Sequence, residues 1–168
     1  LNGNSTLRIV DWLLLELRTG VNANTTVARR AVLLRNDGQV VDTSGYPEVL
    51  FDPAQVPAGS YYLVIDHRNH LKTMSASAVL LTAGNSTQYD FTTDNAKAYS
   101  TFQPAQVLTG TLWALPAGDA VHDGIVNATD RVAVRNASGQ TGYLSADLTM
   151  DGIVNAADRV MVRNRSFL

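Results

Sequence analysis

Cysteine is absent from all 168 residues, which excludes disulfides, thiolate metal sites and a cysteine nucleophile. Positive charge is sparse. Lysine occurs only at Lys72 and Lys97, Lys and Arg together number 13 against 15 Asp and Glu, and there is no basic run. A net charge of −2 without a basic stripe leaves no electrostatic footprint for nucleic acid, so nucleic acid is not an expected partner. No apolar run is long enough to span a membrane, and no signal peptide is recognisable. The expectation is therefore a mature, secreted bacterial protein, extracellular or at the cell surface. Also missing are a nucleophile elbow, a phosphate-binding glycine loop and a zincin motif. Acidic residues upstream of the last third stand singly near turns, so no enzyme is expected.

What the chain does have is 45% hydrophobic residues, enough for a packed core. Over residues 1–112 short Val-, Leu-, Tyr- and Phe-rich stretches alternate with turn signals, and no long 3.6-residue period develops. Strands are predicted at Leu7–Leu17, Val27–Arg35, Gln39–Asp42, Glu48–Phe51, Gly59–His67, Leu71–Ala76, Ala78–Leu81, Ser86–Thr92 and Val107–Trp113. Asn36-Asp37-Gly38 marks a hairpin. The predicted fold class is mainly β: an antiparallel β-sandwich or small barrel, followed by a two-loop, two-short-helix module.

The stretch Val40–His67, with Phe51, Pro57, Gly59 and Tyr61, resembles the prealbumin-like (Cna protein B-type) β-sandwich modules of bacterial surface proteins. That resemblance implies a scaffold. The first strand, Ile9–Leu17, is apolar on both faces, which predicts burial on both. Either it is a central strand of its own sandwich or it is donated to a neighbouring copy. The polar leader Leu1–Thr6 and the Gly20–Thr26 stretch favour donation.

Residues 119–136 and 147–164 are two copies of one acidic loop, identical at 13 of 18 positions. Each puts Asp at positions 1, 5 and 12 of a twelve-residue loop, Gly at 6 and Asn at 9, the spacing that wraps oxygen ligands around calcium. The pair resembles dockerin repeats. By that resemblance loop one would bind Ca²⁺ through Asp119, Asp123, the Ile125 carbonyl, Asn127 and Asp130. Loop two would use Asp147, Thr149, Asp151, the Ile153 carbonyl, Asn155 and Asp158. Position 3 is Val121 in loop one, which offers no side-chain oxygen, and Thr149 in loop two. Up to two ions of extracellular-grade affinity, on the order of 10⁻⁴ M, are expected, the second loop filling more readily. Cohesin-binding dockerins usually carry small hydroxylated residues at positions 10 and 11. Here Ala128-Thr129 and Ala156-Ala157 stand there, so a structural role is favoured over docking.

Ile125, Val126, Val132, Ile153, Val154 and Val160 are the predicted core of this module, and Arg131/Arg135 and Arg159/Arg163 are expected in solvated ion pairs. His67 and His70 form a His-x-x-His sequence that need not converge, and His122 is expected in solvent. Asn4, Asn24, Asn85, Asn127, Asn136 and Asn164 begin Asn-x-Ser/Thr sequons.

The expected domains are 1–115, β-sandwich or barrel with 1–18 as a possible exchanged strand, and 116–168, the calcium module. The function these features suggest first is a non-enzymatic structural subunit. It would self-assemble into a filament, partnering other copies of itself through residues 7–18 and stiffened by calcium. The alternatives are a tethering module that ends a larger secreted protein and binds a cohesin-like partner, or a carbohydrate-binding adhesin.

Overall fold

The computed structural model describes residues 7–100 and 105–165. By internal contacts the chain divides into two compact units, Leu1–Ile65 with Ala78–Tyr89, and Asp66–Ser77 with Asp90–Leu168. The structure is mainly β, with antiparallel pairing and two α-helices among the described residues.

In the first unit β1 (Ile9–Arg18) pairs antiparallel with β2 (Thr26–Arg35), from Ile9 opposite Arg35 to Arg18 opposite Thr26. β2 continues through the Asn36-Asp37-Gly38 hairpin into β3 (Val40–Val41), closed by the Arg35 amide donating to the Gln39 carbonyl at 2.9 Å. The sheet runs β3-β2-β1-β4, where β4 is Gly59–Asp66, and β6 (Val79–Leu81) pairs with the start of β4. The sheet does not close, so the small-barrel option falls away. β1 is an internal strand. Both edges of β1 are taken by β2 and β4, the first of the two expected arrangements, and nothing in the structure supports the homopolymer contact through residues 7–18. Leu1–Thr6, the expected leader, lies outside the described residues.

Burial of β1 is uneven. Leu13 and Leu17 are 1% and 0% exposed, whereas Ile9, Val10 and Trp12 are about half exposed, so the expected two-faced burial holds only toward the C-terminal end. There the second face buries charge: Glu16 and Arg18, two apart and hence on one face, pair at 2.6 Å. Leu17 packs with Val56 and Tyr61, joined by Phe51, Leu63 and Leu81. The Tyr61 hydroxyl donates to the Pro57 carbonyl at 2.8 Å, tying the Pro-Gly turn to β4.

Two predicted strands are loops. At 48–51 the chain leads into a turn in which the Asp52 side chain accepts from the Ala54 amide at 2.9 Å and its carbonyl from Val56 at 2.8 Å. At 86–92 Asp90 accepts from both the amide and the hydroxyl of Thr92. Such side-chain bonds compete with strand ladders.

In the second unit, β5 (Thr73–Met74) lies in a segment that bonds to later chain, with Tyr99 donating to Met74 at 2.8 Å. β7 (Val107–Thr109) and β8 (Leu112–Ala114) form a hairpin where one strand was expected. Helices α1 (Ala128–Asn136) and α2 (Ala156–Arg165) follow the acidic loops.

The core of this unit gathers Leu71, Ala120, Val126, Val134, Ala146, Leu148, Val154 and Val162. Val126 and Val154 are buried as expected. Val134 and Val162 take the places predicted for Val132 and Val160, which are 43% and 56% exposed, and Ile125 and Ile153 also lie exposed. The helix face is set by Asp130 and Asp158, which turn inward and carry the residues four positions later with them.

Candidate metal centre and helix face

The two loops fold by the same hydrogen-bond scheme, repeated 28 residues apart. In loop one Asp119 accepts from the amides of Asp123 and Gly124, both at 3.0 Å, and Asp123 accepts from Ile125 at 3.0 Å. Asn127 accepts from Thr129 at 2.7 Å, and Asp130 accepts from Val121 at 3.1 Å and Asn127 at 2.8 Å. In loop two Asp147 accepts from Asp151 at 3.2 Å and Gly152 at 2.9 Å, and Asp151 from Ile153 at 3.0 Å. Asn155 accepts from Ala157 at 2.7 Å, and Asp158 from Thr149 at 2.9 Å and Asn155 at 2.8 Å.

The side chains of Asp119, Asp123, Asn127 and Asp130, and of Asp147, Asp151, Asn155 and Asp158, are thereby each tied to the backbone of their own loop. Asn127 and Asp130 also make a capping box that starts α1. One feature escaped the sequence. Position 4 is left-handed in both loops, His122 at φ 61° and Met150 at φ 58°, beside Gly124 and Gly152 at position 6. Histidine is among the residues enriched in that conformation, but methionine is not.

The electrostatics are unusual. Asp119, Asp130, Asp147 and Asp158 are all buried, Asp130 and Asp158 at 0% exposure, and none forms a salt bridge with a side chain among the described residues. Burial pushes the Asp119 carboxyl above its ordinary value despite the Gly124 and Asp123 amides. Burial acts the same way on Asp158, but the amides of Asn155, Thr149 and Leu148 and the Thr149 hydroxyl outweigh it and hold that carboxyl low.

Loop two is knitted more tightly. The Thr149 hydroxyl donates to Asp158 at 3.0 Å, and the Asn155 amide group donates to the Ile153 carbonyl at 3.2 Å. Among the described residues no three His, Asp or Glu side chains gather closely enough to form a ready-made metal cluster. The carboxylate and carbonyl oxygens are hard donors, of the kind that suit calcium.

A strap from the segment before β5 belongs to this unit. Asn69 donates to the Asp147 carbonyl at 2.7 Å, Gly118 donates to the Asn69 carbonyl at 2.9 Å, and Leu71 donates to the Pro116 carbonyl at 2.8 Å. Arg68 bonds the Leu144 carbonyl and lies 4.0 Å over the Tyr143 ring. Sequence reasoning placed this stretch with the sheet. Its hydrophobic contribution, Leu71, enters the loop core.

Two of the histidines differ from expectation. His67 and His70 converge, their Nδ1 atoms 2.8 Å apart, and Asn69 Oδ1 is 2.8 Å from His70 Nδ1. His122 is exposed, as expected, and its ring also lies 2.8 Å from the Asp66 carboxylate, which Lys72 reaches at 2.7 Å.

Helices α1 and α2 expose an apolar and cationic surface. Val132 and Val160 face outward at duplicated positions. Arg131, Arg135, Arg159 and Arg163 line one shallow groove of about 400 Å³ between the helices. The ion pairs expected of these arginines are not found among the described residues. No helix among the described residues is long and apolar enough to cross a membrane.

No family model matches the chain, and no curated protein matches it. A solved structure is similar over 93% of this chain and 81% of that one, at 18% identity and a TM-score of 0.48. It is described as an N-terminal interface mutant of a type II cohesin–X–dockerin complex from Acetivibrio cellulolyticus, and a likeness of that degree assigns no residue a role.

Proposed function

We propose that this chain is a non-enzymatic, calcium-folded docking module that tethers a larger secreted protein to a cohesin-like partner. The observation that carries this reading is the set of four buried carboxylates, Asp119, Asp130, Asp147 and Asp158, which form no salt bridge among the described residues. A buried carboxylate is costly unless it is paired or ligates a metal. A calcium ion held by each loop would supply that charge and would stabilise the loop and the helix that follows.

Asp119, Asp123, Asn127, Asp130 and the Ile125 carbonyl would hold the ion in loop one. In loop two Asp147, Thr149, Asp151, Asn155, Asp158 and the Ile153 carbonyl would do so. The loop residues thus shape a rigid pair of helices whose outward valines and arginines meet the partner, outside the cell where calcium is millimolar. The filament reading finds no support, as β1 pairs with β2 and β4 of its own sheet.

Calorimetric titration of the chelator-stripped chain with Ca²⁺, followed by capture on an immobilised cohesin module, tests the proposal. The expected result is calcium uptake, retention in millimolar calcium and release by chelator. No heat and no change in near-ultraviolet dichroism would overturn the calcium part. Uptake without retention would overturn the docking part.

A further inference from the structure

We infer that His67, Asn69 and His70 form a site for a zinc-class divalent cation, chemically distinct from the acidic loops. The inference goes beyond the calcium reading and does not depend on it, since no side chain of either loop belongs to the site.

The arrangement around one hydrogen carries it. The Asn69 amide nitrogen donates to the Asp147 carbonyl at 2.7 Å, and a carbonyl can only accept, so the other amide atom is fixed as the oxygen. That oxygen lies 2.8 Å from His70 Nδ1, and His67 Nδ1 lies 2.8 Å from the same nitrogen. Because the amide oxygen only accepts, His70 Nδ1 carries the hydrogen. His67 Nδ1 then presents a lone pair and keeps its own proton on Nε2. One hydrogen thus stands among three donor atoms on three consecutive turns of side chain, two imidazole nitrogens and an oxygen. A cation takes its place once His70 moves that proton to Nε2, a tautomer shift that leaves the ring neutral. Two nitrogens on one tetrahedral zinc, at bonds of about 2.0–2.1 Å, lie about 3.3 Å apart, so the pair needs to open by roughly 0.5 Å. The rings stand nearly edge to face, 77° between planes with centroids 4.6 Å apart, and a small tilt is enough.

The donors are held in place before any ion arrives. His70 bridges to Ala117, the Gly118 amide donates to the Asn69 carbonyl at 2.9 Å, and the Leu71 amide donates to the Pro116 carbonyl at 2.8 Å. The bond from Asn69 to Asp147 is the kind of outer contact that orients a ligand. His67 and Asn69 are 3% and 0% exposed, while His70 stays partly open to solvent and offers an entry path. The nearest cationic side chains are engaged elsewhere, Arg68 with the Leu144 carbonyl and Lys72 with Asp66. Imidazole nitrogen selects zinc, copper or nickel over calcium. No third His, Asp or Glu gathers here among the described residues, so water completes the coordination, as in open zinc sites.

The test titrates the full chain with Zn²⁺ by calorimetry, and with Co²⁺ as a spectroscopic stand-in, in millimolar calcium that competes for hard oxygen donors. One zinc per chain is expected, with a melting temperature that rises with zinc and a four-coordinate Co²⁺ spectrum. His70→Gln and His67→Gln should each weaken zinc roughly tenfold or more. His122→Asn removes the remaining histidine, suits the left-handed backbone there, and should leave zinc binding unchanged. Melting curves without zinc establish that each variant folds. No zinc uptake by the unaltered chain, an octahedral cobalt spectrum, uptake indifferent to both Gln changes, or loss of uptake in His122→Asn would each overturn the inference. None of these outcomes touches the calcium reading, which the Ca²⁺ titration decides separately.

Discussion

Thr149 donates its hydroxyl to Asp158 at 3.0 Å, closing the first half of loop two onto the carboxylate that ends it. Val121 holds the matching place in loop one and supplies Asp130 with its amide alone. A hydrogen bond to a charged group contributes about 1.5 kcal/mol or more. Val121→Thr should therefore tighten calcium at loop one by roughly tenfold, and Thr149→Val should weaken loop two by a similar factor. Calorimetry on the two variants, with the sites separated by Asp130→Ala and Asp158→Ala backgrounds, reads both effects. Equal affinities before and after would show that position 3 is irrelevant here.

The helix faces offer a sharper contrast. Val134 and Val162 are buried, while Val132 and Val160, two residues earlier on the same helices, are exposed. Val134→Ala should destabilise the second unit by about 1–2 kcal/mol through lost burial and a small cavity, and Val132→Ala by less than about 0.5 kcal/mol. Thermal melts in saturating calcium measure the difference. The reverse order would mean that the helix is rotated from the face described here.

The same contrast shows what could be read beforehand. The loops were legible as a folded repeat because Asp, Gly and Asn recur at the same spacing in both copies. The helix face was not, because Val at positions 14 and 16 of each repeat looks alike in sequence. Which one turns inward is decided by Asp130 and Asp158 four residues before Val134 and Val162. Strand β1 and the Asp-Gly hairpin were visible from their apolar run and turn chemistry. The competing turns at Asp52 and Asp90 were not, since the flanking Phe51 and Phe91 read as strand residues. Nor did the sequence reveal that Leu71 would join the loop core, a contact between residues far apart in the chain.

Charge buried in β1 leads to a prediction on the sheet. The Glu16 carboxylate accepts from Arg18 at 2.6 Å and lies 3.3 Å from Arg29, and its side chain is 2% exposed. Glu16→Ala strands the Arg18 guanidinium in the interior and should destabilise the first unit by about 3–5 kcal/mol. Glu16→Met combined with Arg18→Met removes both charges and should fall near wild type. Denaturant unfolding of the three chains decides it, and additive losses in the double variant would show that the pair itself is not the cause.

Gly118 joins the strap to loop one, and its place is tightly bounded. It has φ 130°, and a β-carbon built on it would lie 2.8 Å from Val126 Cγ1. Its amide also donates to Asn69, whose side chain in turn reaches the Asp147 carbonyl of loop two. Gly118→Ala therefore meets both a steric and a conformational obstacle, for an expected loss of about 1–3 kcal/mol. Because Val126 directly precedes Asn127 in loop one, the displacement should weaken calcium there along with the fold. Asn69→Ala attacks the same strap without crowding Val126. It should leave the buried Asp147 carbonyl without that donor and lower stability by about 1–3 kcal/mol, with the larger effect on loop two. Calcium titration of both variants beside wild type separates the two routes. If Gly118→Ala shifts loop one, Asn69→Ala shifts loop two, and both lower the melting temperature, the strap is an integral part of the metal-loop unit; calcium binding unchanged in both would mean that the strap merely lies on it.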